Sequence, residues 1–95
     1  MIKEYASPQQ VKEMKDMVRA LGHGSQKYMA TTMGERAITL YRKLNKLQHM
    51  SMHQYQIMRQ MVNDDDYVQQ MRSDCEQARI NSRRKKWLIL HEIKQ

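Results

Sequence analysis

One proline and three glycines in 95 residues leave this chain few places to turn. A β-sandwich needs a turn every few residues, so this scarcity points to helices instead. Apolar residues also recur at i, i+3, i+4 spacing, which gives each helix one face to bury. The expected fold is all-α, a small bundle of about four helices whose last member is long and basic toward its C-terminal half. A chain this short holds one core. Residues 1–95 are therefore expected to form a single helical domain, with residues 1–6, which show no period, as a mobile lead.

Ser7-Pro8-Gln9-Gln10 starts the first helix: Ser7 can cap, Pro8 suits the first helical position and Gln10 completes a capping box. Val11, Met14, Val18 and Leu21 follow as a stripe widened by Met17. Gly22 and Gly24 around His23 then stop it, which predicts a helix over roughly 8–21. Ser25 to Ala30 is ambiguous, since Tyr28 and Met29 can pack while their flanks are polar. Thr32 with Glu35 offers a second capping pair. Ala37, Leu40, Tyr41, Leu44 and Leu47 trace the next stripe, and the spacing predicts a second helix from about 33 to 48. Gly34 weakens its start by only about 1 kcal/mol relative to Ala.

Ser51 and Gln54 form a third capping box. A tight turn at His49–Ser51 and a third helix from Met52 to Val62 are expected, with Tyr55, Met58 and Val62 inward and Met61 alongside. The alternative is one rod through both segments. Asn63-Asp64-Asp65-Asp66 favours another helix start, because acids complement the partial positive charge of that end. Val68, Met71, Cys75 and Ala78 continue at helical spacing. The last fifteen residues, with Trp87, Leu90 and Ile93, can extend this helix or form a strand; helix is expected, because no other segment offers a strand partner. Ten methionines are the compositional oddity. Met14, Met17, Met58, Met61 and Met71 lie on or beside inner faces, where flexible thioethers fill irregular gaps.

Few residues carry recognisable chemistry. His49 and His53 are four apart, but the expected turn between them separates the imidazoles, and no Glu follows His49 as in zinc proteases. Asp64-Asp65-Asp66 lacks the alternating ligands of a calcium loop. Cys75 is expected as a buried structural thiol, although Arg72 and Arg79 could depress its pKa. Gly22-His23-Gly24-Ser25 has too few glycines and no following Lys-Ser/Thr to be a nucleotide phosphate loop. The expectation is no catalytic residue, no metal and no cofactor.

Charge is what remains. Seventeen Lys and Arg against ten Asp and Glu leave +7. Arg79, Arg83, Arg84, Lys85 and Lys86 fall in one short run without an acid, directly before Trp87. On a helix Arg79, Arg83 and Lys86 share one side, with Arg84 nearby. Such cations neutralise phosphates and release counterions, and a neighbouring Trp can stack on a base. Trp87 is nonetheless expected as a core anchor, and a basic end also complements the helix's own dipole. The second and third helices permit a helix-turn-helix reading: Gln54, Gln56, Arg59 and Gln60 outward toward base edges, with Arg42, Lys43 and Lys46 on phosphates.

These features suggest a small non-catalytic nucleic-acid-binding protein with a regulatory or replication-related role, contacting DNA or RNA through Arg79, Arg83, Arg84, Lys85 and Lys86. Arg42, Lys43, Lys46 and Arg59 would support it. The competing expectation is an adaptor or inhibitor docking on an acidic protein surface of a nucleic-acid-processing enzyme, for which a fast-associating cationic protein is suited. A homodimer would cover exposed apolar stripes. A single cysteine, no apolar leader and no membrane-spanning run point to a cytoplasmic protein without a membrane partner.

Overall fold

The computed structural model describes residues 4–93, with side chains described for residues 4–84. These residues form five helices: α1 (Pro8–Ala20), α2 (Ser25–Thr32), α3 (Ala37–Leu44), α4 (Met52–Val62) and α5 (Asp65–Ile93). Among the described residues there is no strand, only an isolated antiparallel bridge between Tyr5 and Ser51. The architecture is all-α, as expected, with one helix more than the apolar stripes suggest. No helix among the described residues is long and apolar enough to cross a membrane.

The start of α1 follows directly from its sequence. The Gln10 amide donates to Ser7 Oγ at 3.1 Å, and the Ser7 amide donates to Gln10 Oε1 at 2.8 Å. Both amides would otherwise lack partners in the first turn. Val11, Met14 and Val18 are buried, whereas Met17 is 39% exposed, so the inward face is narrower than the stripe. The ambiguous stretch after Gly24 folds as α2. Its buried face consists of Ser25, Met29 and Ala30, and a polar residue at the first of these positions hides the period.

The second expected helix, 33–48, is the largest correction: α3 covers only Ala37–Leu44. The same closure stands before and after it. Gly34 adopts φ +70°, and the Gly34 and Glu35 amides donate to Thr31 O at 3.0 Å and Ala30 O at 2.8 Å. Lys46 adopts φ +63°, and the Lys46 and Leu47 amides donate to Lys43 O at 3.2 Å and Arg42 O at 2.9 Å. A left-handed residue with this pair of bonds satisfies the last carbonyls and ends a helix. Gly34 is therefore the stop of α2 rather than a weak residue within the next helix. Thr32 does not cap; its hydroxyl bonds back to Tyr28 O at 3.0 Å. Leu47 lies past the second closure and is 73% exposed, not part of the buried stripe.

The tight turn at His49–Ser51 is replaced by a longer link. In it Met50 is buried and accepts the Ala6 amide at 2.9 Å, while the Met52 amide donates to Glu4 O at 3.0 Å. The aperiodic lead thus pairs at Glu4 and Ala6 with the entry to α4. Ser51 Oγ accepts the Gln54 amide at 3.0 Å, half of the expected box. The break between α4 and α5 stands where the acidic run places it, with the Tyr67 amide donating to Asp64 Oδ1 at 3.2 Å.

α1 packs on α2, α3 and α4, while α5 packs on α2 and α4. Met14, Met29, Leu40, Leu44, Met50, Met58 and Met71 are the largest fully buried side chains. Five of these seven are methionine rather than leucine, which suits irregular gaps between short helices. Of the methionines expected inside, Met61 is half-buried. Trp87 lies outside the residues whose side chains are described.

Candidate nucleic-acid interface

α5 has 29 residues and runs about 43 Å at the usual rise per residue. Its first turns are held in the bundle by buried Met71 and half-buried Tyr67, Val68 and Cys75. Ala78, expected on the same stripe, is exposed, so inward packing weakens before the basic run begins. The helix itself continues through that run to Ile93, which resolves the choice between helix and strand for its backbone.

Arg79, Arg83 and Arg84 are all exposed. Arg79 donates to Glu76 Oε2 at 3.0 Å, and both side chains are more than half exposed. Such a pair is worth little and yields readily to a competing anion. No ion pair to Arg83 or Arg84 is formed among the described residues. Lys85 and Lys86 belong to the helical backbone, but their side chains lie outside the described set.

The second group of expected phosphate contacts is divided by the fold. Arg42 and Lys46 are exposed, at the end of α3 and just beyond it. Lys43 is not available in the same way. Its Nζ lies 2.7 Å from Glu35 Oε1 and donates to Gln54 Oε1 at 2.8 Å, with side-chain exposures of 17% and 15% for the Lys43–Glu35 pair. Gln54 also donates to Glu35. Lys43 and Gln54 therefore bind the Glu35 loop to α3 and α4, a correction to the outward roles expected for both. Gln56, Arg59 and Gln60 do face solvent on α4. The helix-turn-helix reading loses its tight turn and one of its reading amides. α3 packs against α1 and α2, α5 against α2 and α4, so the two basic groups sit on different elements.

Around Cys75 the sequence gives little warning of what the fold assembles. A Cβ placed on Gly24 would lie 3.3 Å from Cys75 Sγ, so glycine there allows the α1–α2 turn to approach α5. Burial, followed by the Asp74 charge, raises the thiol pKa, opposite to the depression that Arg72 and Arg79 could have produced. Cys75 is half-buried rather than sealed in the core. On the other side of the contact the Tyr28 hydroxyl donates to Asp74 Oδ2 at 2.6 Å. That bond, with burial, pushes the phenol up to about 12. Burial also raises Tyr67, against a hydrogen bond with Thr32 that lowers it.

Among the described residues no three His, Cys, Asp or Glu side chains are placed to share a metal ion. His49 stacks on Tyr5 with ring centroids 4.9 Å apart, and His53 lies exposed in the first turn of α4. Arg72 is the residue that sequence reasoning passed over as a possible anion contact. It stands seven positions before Arg79, two turns of helix, on the same side of α5, and that spacing was a readable signal. Comparison with known protein families, curated proteins and solved structures returns no match.

Proposed function

We propose that this chain is a small non-catalytic nucleic-acid-binding protein with a regulatory or replication-related role, which grips phosphates through the basic part of α5. The observation that carries this reading is the exposure of Arg79, Arg83 and Arg84 on one continuous helix, in a run without an acid. Guanidinium groups in that state form bidentate bonds to phosphate oxygens and displace condensed counterions. Arg42, Lys46 and Arg59 supply further positive charge on other elements, and a cytoplasmic setting suits the single free thiol.

The test is binding of the full chain to labelled single- and double-stranded DNA and RNA across a salt series. Affinity should fall linearly on a logarithmic plot, steeply enough to report several phosphate contacts. Absent or salt-independent binding at low ionic strength would overturn the proposal.

A second reading is favoured by one observation. Ile38, Tyr41 and Leu47 are about half exposed or more, and Arg42 and Lys46 lie among them in the chain. Apolar anchors beside cations suit an acidic protein surface, the adaptor or inhibitor alternative. A stoichiometric protein retained after nuclease treatment of cell extracts would support it, and loss of every partner on nuclease treatment would count against it.

A further inference from the structure

We infer that the cleft between the α1–α2 turn and α5 is a binding site for a single phosphate group. In the nucleic-acid reading, on which this assignment of the ligand rests, that group is a backbone phosphodiester. The cleft has a volume of about 210 Å³, and its walls include His23, Ser25, Arg72, Cys75, Glu76 and Arg79. That is room for a tetrahedral oxyanion with part of its hydration shell.

Three independent features converge there. Arg72 and Arg79 are two turns apart on α5 and both line the cleft. The first turn of α2 begins at the same place: Gly24 is its N-cap in a left-handed conformation and supplies no side-chain cap. The Gln26 and Lys27 amides have no acceptor among the described residues, and the aligned peptide dipoles favour an anion at that end. The third feature is Ser25, which is 2% exposed and the only polar residue among those fully in the core of the described chain. Its hydroxyl makes no hydrogen bond among the described residues. No polar side-chain atom sealed from solvent lacks a partner there, so the residual access of the Ser25 oxygen is into the cleft it lines. A hydroxyl with so little access to water gains from a partner, and a phosphate oxygen would accept from it.

This is not the glycine-rich nucleotide loop that the sequence excludes, since its cations come from α5 and not from the turn. Glu76 is the one carboxylate in the wall, and it holds Arg79 through an exposed ion pair. An incoming phosphate competes with it for Arg79, while Arg72 makes no ion pair among the described residues. The cleft is then the first station of a cationic row that continues along α5 through Arg79 and Arg83.

The experiment is an amide NMR titration of the full chain, with sodium phosphate against sodium chloride at matched ionic strength, and separately with a short oligonucleotide. Phosphate should give saturable shifts at Ser25, Gln26 and Lys27 that chloride does not. Arg72→Gln should weaken them at least fivefold and Ser25→Ala severalfold, while Lys12→Gln on exposed α1 leaves them unchanged; unaltered spectra elsewhere establish that the variants are folded. Matching shifts from the oligonucleotide, weakened by Arg72→Gln, identify the phosphodiester as the source. Shifts from inorganic phosphate alone keep the site and overturn that source. Oligonucleotide binding that leaves these amides and the Arg72→Gln affinity untouched overturns the site while the proposed function stands. If neither probe binds, both fall.

Discussion

Cations with the same chemistry meet opposite fates in two regions of this molecule. Lys43 on α3 is drawn into the packing, held by Glu35 and Gln54 at 17% side-chain exposure. Arg79 on α5 holds Glu76 at 54% exposure, and Arg83 and Arg84 beside it are exposed. In the sequence both groups read as solvated basic faces. The difference is not charge but what lies opposite. On α3, Lys43 meets the Glu35 loop and Gln54 of α4, whereas the arginines of α5 from Arg79 onward face solvent. Positive charge becomes available to a partner where the scaffold ends, and becomes structure where the scaffold closes over it.

The largest effect expected from this contrast is on stability. Glu35→Ala would leave the Lys43 ammonium half-buried without its counter-charge. Fully buried pairs broken in this way lose several kcal/mol and exposed pairs almost nothing. At this exposure about 2 kcal/mol is expected, or roughly 10 °C in melting temperature for a domain of this size. Urea denaturation measures it. A loss below about 0.5 kcal/mol, the scatter of ordinary surface changes, would erase the distinction between the two groups.

The next effect is on binding. Arg83→Gln with Arg84→Gln should leave the denaturation midpoint within about 0.5 kcal/mol of the parent. It should weaken oligonucleotide binding roughly tenfold at low salt and lower the salt slope by about two. The same double change acting on stability rather than affinity would place α5 in the role assigned to α3.

How far these fates could be read from the chain depends on the range of the interaction. The Ser7–Gln10 cap, the stop at Gly22, the start of α4 at Ser51 and the acidic start of α5 are all local, set by residues within four positions of each other. Each was legible. The stripe through Leu47 failed because its period outlasted the helix: Lys46, a residue with no evident preference for the left-handed region, closes α3 and throws Leu47 outward. α2 was obscured because a serine occupies a core position. At the candidate site, the exposure of Arg79 and Arg83 followed from composition and register. The capture of Lys43 depends on Glu35 and Gln54 meeting across the fold, and the cleft at Ser25 on Gly24 approaching Cys75 from a different helix. Nothing in sequence spacing encodes either encounter.

Lys46 offers a smaller test of the same division. Its left-handed backbone is strained for any residue with a Cβ, so Lys46→Gly should stabilise the protein by about 0.5–1 kcal/mol, after the glycine's greater loss of chain entropy is deducted. Because Lys46 belongs to α3's cation group, its loss should cost oligonucleotide affinity less than the loss of Arg83 or Arg84. An equal cost would mean that the polyanion reaches across both elements and that α5 is not the principal contact.

The smallest effect carries the sharpest sign. Glu76 and Arg79 form an exposed pair one turn apart, a geometry worth only a few tenths of a kcal/mol, so Glu76→Gln should barely move the denaturation midpoint. For a polyanion, however, Glu76 is a competitor: it repels phosphate and occupies the Arg79 guanidinium. Its neutral amide removes one negative charge from the cationic row, so affinity should rise, by about two- to threefold at low ionic strength, and the gain should fade at high salt as screening shortens the reach of the missing charge. Glu35→Ala removes one acid as well, yet there the released cation is enclosed and the dominant consequence is instability. Two acidic residues, each paired with a basic one, should thus respond in different observables. A loss of affinity on Glu76→Gln would mean that the carboxylate positions Arg79 for its ligand rather than competing with it, and that even the exposed end of the contrast is organised by internal ion pairing.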